Sequence, residues 1–124
     1  MNFSKENQTD LLVALSPDAS LTEIQEYVGK VLQLRGLSGQ PVQNSVLLLC
    51  EEVGELAKAI RKNTTGMSIG EGSDNFIVAE EMADIIIVLS EIANTLGINL
   101  ADAFIAKEMV NVNRSWNFVG GDKT

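Results

Sequence analysis

At 124 residues and 45% apolar content, the chain is one domain in size and long enough to bury a core. Its formal net charge of −8 argues against a nucleic-acid or anionic-membrane partner, since both call for a basic face. With no histidine and one cysteine, Cys50, it lacks the usual ligands of zinc, the Glu-x-x-His motifs of di-iron bundles, a His-based triad and any internal disulfide. What remains is oxygen-only chemistry, which suits Mg²⁺ or Mn²⁺. A phosphorylated small molecule stays compatible with the acidic balance, because bound cations invert the local sign.

Residues 1–19 are a polar lead with one apolar patch, Leu11 to Leu15, too short to span a membrane and followed by no small-residue cleavage site. Two readings stand for it: a short helix capped near Thr9 or Asp10, or a loosely attached arm. Ser20-Leu21-Thr22-Glu23 is a capping box. It starts a helix to about Leu34, with Leu21, Ile24, Val28, Val31 and Leu32 as its apolar stripe and Gly36 as its stop. After a turn over 36–40, Pro41 opens a second helix that runs to about Lys62, where Lys58, Arg61 and Lys62 complement the helix dipole.

The stretch 63–75, rich in Gly, Ser, Thr and Asn, reads as a long loop or lid. Its Gly70-Glu71-Gly72 lacks the strand–turn–helix context of a phosphate cradle. Ser73 or Asp74 caps a third helix that ends near Leu96 with Gly97 as stop. This helix is apolar around most of its circumference, which predicts the central element. Asn99 caps a fourth helix to about Arg114, and a Gly-containing tail follows. No alternating strand pattern or internal repeat is present. The prediction is all-α, a four-helix bundle over residues 20–116, with 1–19 as an arm and 117–124 as a flexible tail.

Two of these helices place acids among apolar residues. Glu52 and Glu55 lie three apart between Leu48, Leu49, Leu56 and Ala59; Glu81 and Asp84 lie three apart between Ile77, Val78, Ile85 and Val88. Three-residue spacing puts each pair on one helix face, one turn apart. A single Glu-x-x-Glu is ordinary on a solvated helix. Two such pairs in apolar helices that pack antiparallel would bring four carboxylates together, at a large cost unless a cation neutralises them. Glu51 and Glu80 sit about 100° further round and point to the rim or solvent.

Lys107, Asn111 and Arg114 share one face of the last helix and could grip phosphate oxygens. By spacing alone, a solvated face is the stronger reading. Gln25, Tyr27, Arg35, Gln40 and Asn44 could meet a base, but read more simply as polar positions on amphipathic helices. Cys50 reads as a small buried side chain, and Trp116 as a helix-end anchor or oligomer contact.

Taken together, Glu52-Val-Gly-Glu55-Leu, Glu81-Met-Ala-Asp84 and Lys107-x-x-x-Asn111-x-x-Arg114-x-Trp116 resemble the MazG-like nucleotide pyrophosphohydrolases of the all-α NTP pyrophosphatase superfamily. The resemblance covers about residues 20–116. It implies Glu52, Glu55, Glu81 and Asp84 as Mg²⁺ ligands, and Lys107, Asn111 and Arg114 as triphosphate contacts. It further implies hydrolysis of a (d)NTP to (d)NMP and pyrophosphate at a site between subunits of a homodimer or homotetramer. With no histidine, a ligating carboxylate must take the proton from water, and Glu52 is the candidate base. The first of the four helices lacks the His and Trp that some relatives carry near the base, which leaves base preference open.

The function expected is therefore Mg²⁺-dependent nucleotide-pool house-cleaning in the cytoplasm, with no nucleic-acid or membrane partner. The alternatives are a phosphoribosyl-ATP pyrophosphatase or dUTPase-like specificity, a nucleotide-binding helical module without turnover, and a purely structural bundle.

Overall fold

The computed structural model describes residues 3–64 and 75–117. Over these residues the protein is all-α, with no strand: α1 (Phe3–Ala14), α2 (Leu21–Leu34), α3 (Val42–Thr64), α4 (Asn75–Leu96) and α5 (Leu100–Val112). The chain therefore has five helices among the described residues, where the sequence pattern points to four. The addition is α1, which starts well before the cap expected near Thr9. The Thr9 hydroxyl instead donates back to the Lys5 carbonyl within the helix, at 3.0 Å. This helix packs on α2, and Arg35 Nε at the end of α2 donates to Gln8 Oε1 at 2.9 Å.

Local chemistry sets the ends of the remaining helices. Ser20 caps α2 through its hydroxyl, which accepts from the Glu23 amide at 3.1 Å, while the Glu23 carboxylate accepts from the Ser20 amide. At the other end, Leu37 N–H donates to Leu32 O and Gly36 N–H to Gln33 O, a closing pattern that needs the positive φ of Gly36, 71°. The same pair of bonds closes α4, from Ile98 to Ala93 and from Gly97 to Asn94, with Gly97 at φ 68°. Asn99 Oδ1 then caps α5 by accepting from the Asp102 amide at 2.9 Å. The loop expected over 63–75 is helical at both ends, since α3 runs to Thr64 and α4 starts at Asn75; the rest of it, the expected caps Ser73 and Asp74 and the tail beyond 117 lie outside the described residues.

The helix α4 is the centre of the packing, against α3 first and α2 next. Val28, Val31 and Leu32 of α2 form the buried core, with Tyr27 and Ile87 packed against it. On α3 the inward stripe is Ser45, Leu49, Glu52, Leu56 and Ala59, all buried or half-buried at spacings of four and three. Cys50 lies one residue off that stripe and is exposed, contrary to the expectation from its apolar neighbours. A helical step of 100° carries it past the α4 contact.

Burial is incomplete in the single chain. On α4, Met82, Ile86 and Leu89 are exposed, and α5 contains no buried residue at all. The α4 and α5 axes meet at 94° and α5 packs mainly on α2, so it leaves the bundle instead of closing it. No single described helix is long and apolar enough to cross a membrane.

Candidate active site

Antiparallel packing of α3 on α4 sets the inward stripe of one helix against that of the other. On α4 the facing residues are Ile77, Glu81, Asp84 and Val88, again at spacings of four, three and four. Acids therefore occupy positions on both stripes where a bundle would otherwise interdigitate apolar side chains. One carboxylate oxygen each of Glu52, Glu81 and Asp84 lies within 4.8 Å of the other two. Glu51 and Glu80 are exposed, one step round their helices.

Three carboxyls at this separation cannot all be comfortable as anions. The Glu52 carboxyl is held above its ordinary pKa of 4.5, first by desolvation, then by the charge of Asp84, a side-chain hydrogen bond with Glu81, and the charges of Glu81 and Glu55. The arrangement thus takes up positive charge: a proton on Glu52, or a cation among the oxygens. Mutually facing oxygen donors from two helices, all carboxylates and none sulfur or nitrogen, fit a hard divalent ion.

The fourth acid is placed differently. Glu55 is exposed and falls outside the three-oxygen cluster. It lines a small cavity of about 90 Å³ with Lys58, Lys62, Asn63, Ile77 and Glu81, one turn along α3. Lys58 and Lys62 border the acids here, although their sequence position suggests only a helix-dipole role. The signal lay in their spacing of three and seven from Glu55, which keeps them on its face.

On the other side of the cluster, an apolar groove of about 250 Å³ runs past Leu37, Leu48 and Ile87. Gln40 and Asn44 sit at its edge, linked by a side-chain bond of 3.4 Å. Leu48 is one turn from Glu52, and Ile87 is three residues from Asp84. Of the other residues weighed for base contact, Arg35 bonds α1, and Gln25 is buried in a hydrogen-bond network with Asn94 and the start of α5.

Lys107 and Asn111 lie four apart on α5, a different element from the acids; the helix expected to reach about Arg114 ends at Val112, so Arg114 falls beyond it. Lys107 is exposed beside an apolar groove formed with Leu21, Ile86, Leu89, Leu100, Ala103 and Phe104. Asn111 Nδ2 donates to Glu108 Oε1 at 3.3 Å, and its Oδ1 is buried with no partner among the described residues. Trp116 folds back on the end of α5: its Nε1–H donates to Asn111 O at 3.2 Å, and Arg114 lies 5.7 Å from the ring centre. Since α5 turns away from α4, one chain presents the acid cluster and the cationic face on different elements.

A family model described as the MazG nucleotide pyrophosphohydrolase domain matches residues 40–112, more than half of the chain. The match spans α3, α4 and α5, with all four acids, Lys107 and Asn111; Arg114 lies two residues beyond it. No curated protein matches the chain.

Proposed function

We propose that this chain, which belongs to the MazG nucleotide pyrophosphohydrolase domain family, is a Mg²⁺-dependent enzyme that hydrolyses a (d)NTP to (d)NMP and pyrophosphate. The observation that carries this reading is the meeting of the Glu52, Glu81 and Asp84 carboxylates on the stripes that pack α3 against α4. A bundle selected only for stability gains nothing from acids there.

In this reading Glu52, Glu81 and Asp84 hold the divalent ion, with Glu55 entering from the adjacent turn. Mg²⁺ or Mn²⁺, when bound, supplies neutralisation of the triphosphate charge and acidifies water at the α-phosphorus. Glu52 is the proposed base: desolvation and the neighbouring carboxylates Asp84, Glu81 and Glu55 raise its proton affinity above that of an ordinary glutamate. Water adds to the α-phosphorus, its proton goes to a Glu52 oxygen, and the bond to the bridging oxygen breaks to release pyrophosphate. Lys107, Asn111 and Arg114 are the proposed contacts of the departing phosphates, as cationic or amide donors to oxygen.

Bringing those donors to the acids calls for a second copy of the chain. Exposed apolar residues on α4 and α5, among them Met82, Ile86, Phe104, Ile105 and Met109, support a homodimer or homotetramer that covers them. House-cleaning of nucleotide pools in the cytoplasm is the proposed role. The groove past Leu37 and Leu48, with Gln40 and Asn44 at its edge, is the proposed seat of the base.

The test is pyrophosphate release from a panel of dNTPs, with dUTP and phosphoribosyl-ATP included, in Mg²⁺. Turnover that Glu52→Gln and Glu81→Gln both abolish supports the assignment. Turnover that survives both removes it, and tight nucleotide binding without turnover indicates a sensor module instead.

A further inference from the structure

The helix α5 has no buried residue, yet it leaves α4 at a defined angle of 94°. Hydrophobic packing within the chain therefore does little to aim it. The aiming is done at its root, by one side-chain amide.

Gln25, in the middle of α2, is only 7% exposed. Its Nε2 donates to Asn94 Oδ1 at 2.9 Å and to the Ile98 carbonyl at 2.7 Å, while its Oε1 accepts from the Leu100 amide at 2.9 Å. Asn94 Nδ2 returns a bond to the Gln25 carbonyl at 3.1 Å. These partners are the last turn of α4, the elbow, and the first N–H of α5, a donor that no bond inside α5 can satisfy. A single amide joins all three because it offers two donors and an acceptor from one rigid plane. Carboxylate cannot donate, and a thioether or alkyl chain can do neither.

Two neighbours on α2 support the clamp. A Cβ at Gly29 would stand 3.2 Å from Asn94 Nδ2, so the absence of a side chain there lets Asn94 approach. Thr22 Oγ1, one turn before Gln25, accepts a longer bond of 3.4 Å from the Asn99 cap.

We propose that Gln25 is a positioning residue for hydrolysis, fixing the direction of α5 and hence the placement of Lys107, Asn111 and Arg114. The proposal rests on the reading of those three as phosphate contacts. Leverage makes the effect large: at 1.5 Å per residue, Asn111 lies about 16 Å along α5 from Leu100, so a tilt of about 5° at the root moves it by roughly 1.4 Å. A misplacement of about 1 Å can cost on the order of a hundredfold in rate.

The experiment compares Gln25→Met and Gln25→Glu with Val28→Ala, a core truncation on the same helix that touches none of these bonds. Three quantities are read in the full chain: kcat and KM for a dNTP with Mg²⁺, Mg²⁺ affinity without nucleotide, and energy transfer from Trp116 to a dansyl group on Cys50. Trp116 and Cys50 are the only residues of their types, so the pair reports α5 against α3. The expected result is a kcat/KM lowered about tenfold or more in Gln25→Met, with Mg²⁺ affinity unchanged and energy transfer altered. Gln25→Glu, which keeps only the acceptor, falls between that variant and the parent. Val28→Ala lowers the melting temperature but leaves kcat/KM and energy transfer as they were.

Gln25 variants that match Val28→Ala in all three readings overturn the proposal, as does a change confined to Mg²⁺ affinity. Lys107→Ala and Arg114→Ala, run alongside, separate the two claims. If those leave kcat/KM unchanged, the phosphate-contact reading fails, and altered energy transfer in Gln25→Met still supports the clamp. Unaltered transfer overturns the clamp independently.

Discussion

One carboxylate oxygen of Glu52 on α3 lies within 4.8 Å of one of Glu81 on α4, across the helix pair. Two carboxylates that close repel unless a proton or a cation joins them, and desolvation with the neighbouring acids holds the Glu52 carboxyl above its ordinary pKa. Proton and divalent cation should therefore compete for the same oxygens.

That competition fixes the sign of the pH dependence. The folded-state pKa of Glu52 is raised above its ordinary 4.5. Its contribution to stability is therefore full below 4.5 and is lost as pH rises through the raised value. With chelator present, the contribution of Glu52 to the melting temperature should fall over that window. The gain from added Mg²⁺ should grow over the same window. Calorimetric scans of the parent and Glu52→Gln at several pH values, with EDTA and with Mg²⁺, test both signs; Glu52→Gln should lose both trends.

Removing acids should trade function for metal-free stability. Glu81→Gln and Asp84→Asn relieve like-charge repulsion in the cluster, so each should melt higher than the parent in EDTA. Each should also lose the Mg²⁺-dependent gain, which for the parent is about 2.7 kcal/mol at a hundred times the dissociation constant. Glu55→Gln, outside the three-oxygen cluster, should keep part of that gain. Melting curves across a Mg²⁺ series distinguish these outcomes.

A charge on α5 should disperse the assembly. Phe104 and Met109 are 64% and 66% exposed in the single chain, on a helix with no buried residue. If a second copy covers them, Phe104→Glu or Met109→Glu buries a charge at the interface and should yield monomers in sedimentation velocity. Turnover should fall with the loss of assembly, while metal affinity in the monomer persists.

The elbow should be sensitive to backbone alone. Gly97 holds φ 68°, and Gly97→Ala brings a Cβ into the left-handed region without any clash within 4 Å. The expected cost is roughly 1–2 kcal/mol of stability, read by urea denaturation. Gly54→Ala, with open space and no positive φ, should instead be neutral or stabilising.

What the sequence made legible was local or periodic. The capping box of Ser20 and Glu23, the stops at Gly36 and Gly97 and the Asn99 cap each depend on a few consecutive residues. The acids of α3 and α4 stood out because Glu52, Glu81 and Asp84 keep the register of their apolar neighbours. Cys50 was misjudged because apolar neighbours say nothing about which side of a helix meets another. Which faces of α4 and α5 stay exposed was hidden for the same reason: hydrophobicity predicts burial without naming what does the burying. Gln25 was read as an ordinary polar position, since its partners Asn94, Ile98 and Leu100 lie 69 to 75 residues away. No local pattern carries that information.

The most direct measurement is calorimetric titration of Mn²⁺ into metal-free protein, in buffers of different ionisation enthalpy, for the parent and Glu81→Gln. The account predicts saturable uptake by the parent, proton release that increases as pH falls toward the raised pKa of Glu52, and no uptake by Glu81→Gln. A parent that takes up no metal, or a Glu81→Gln chain that binds it as tightly as the parent, would contradict it.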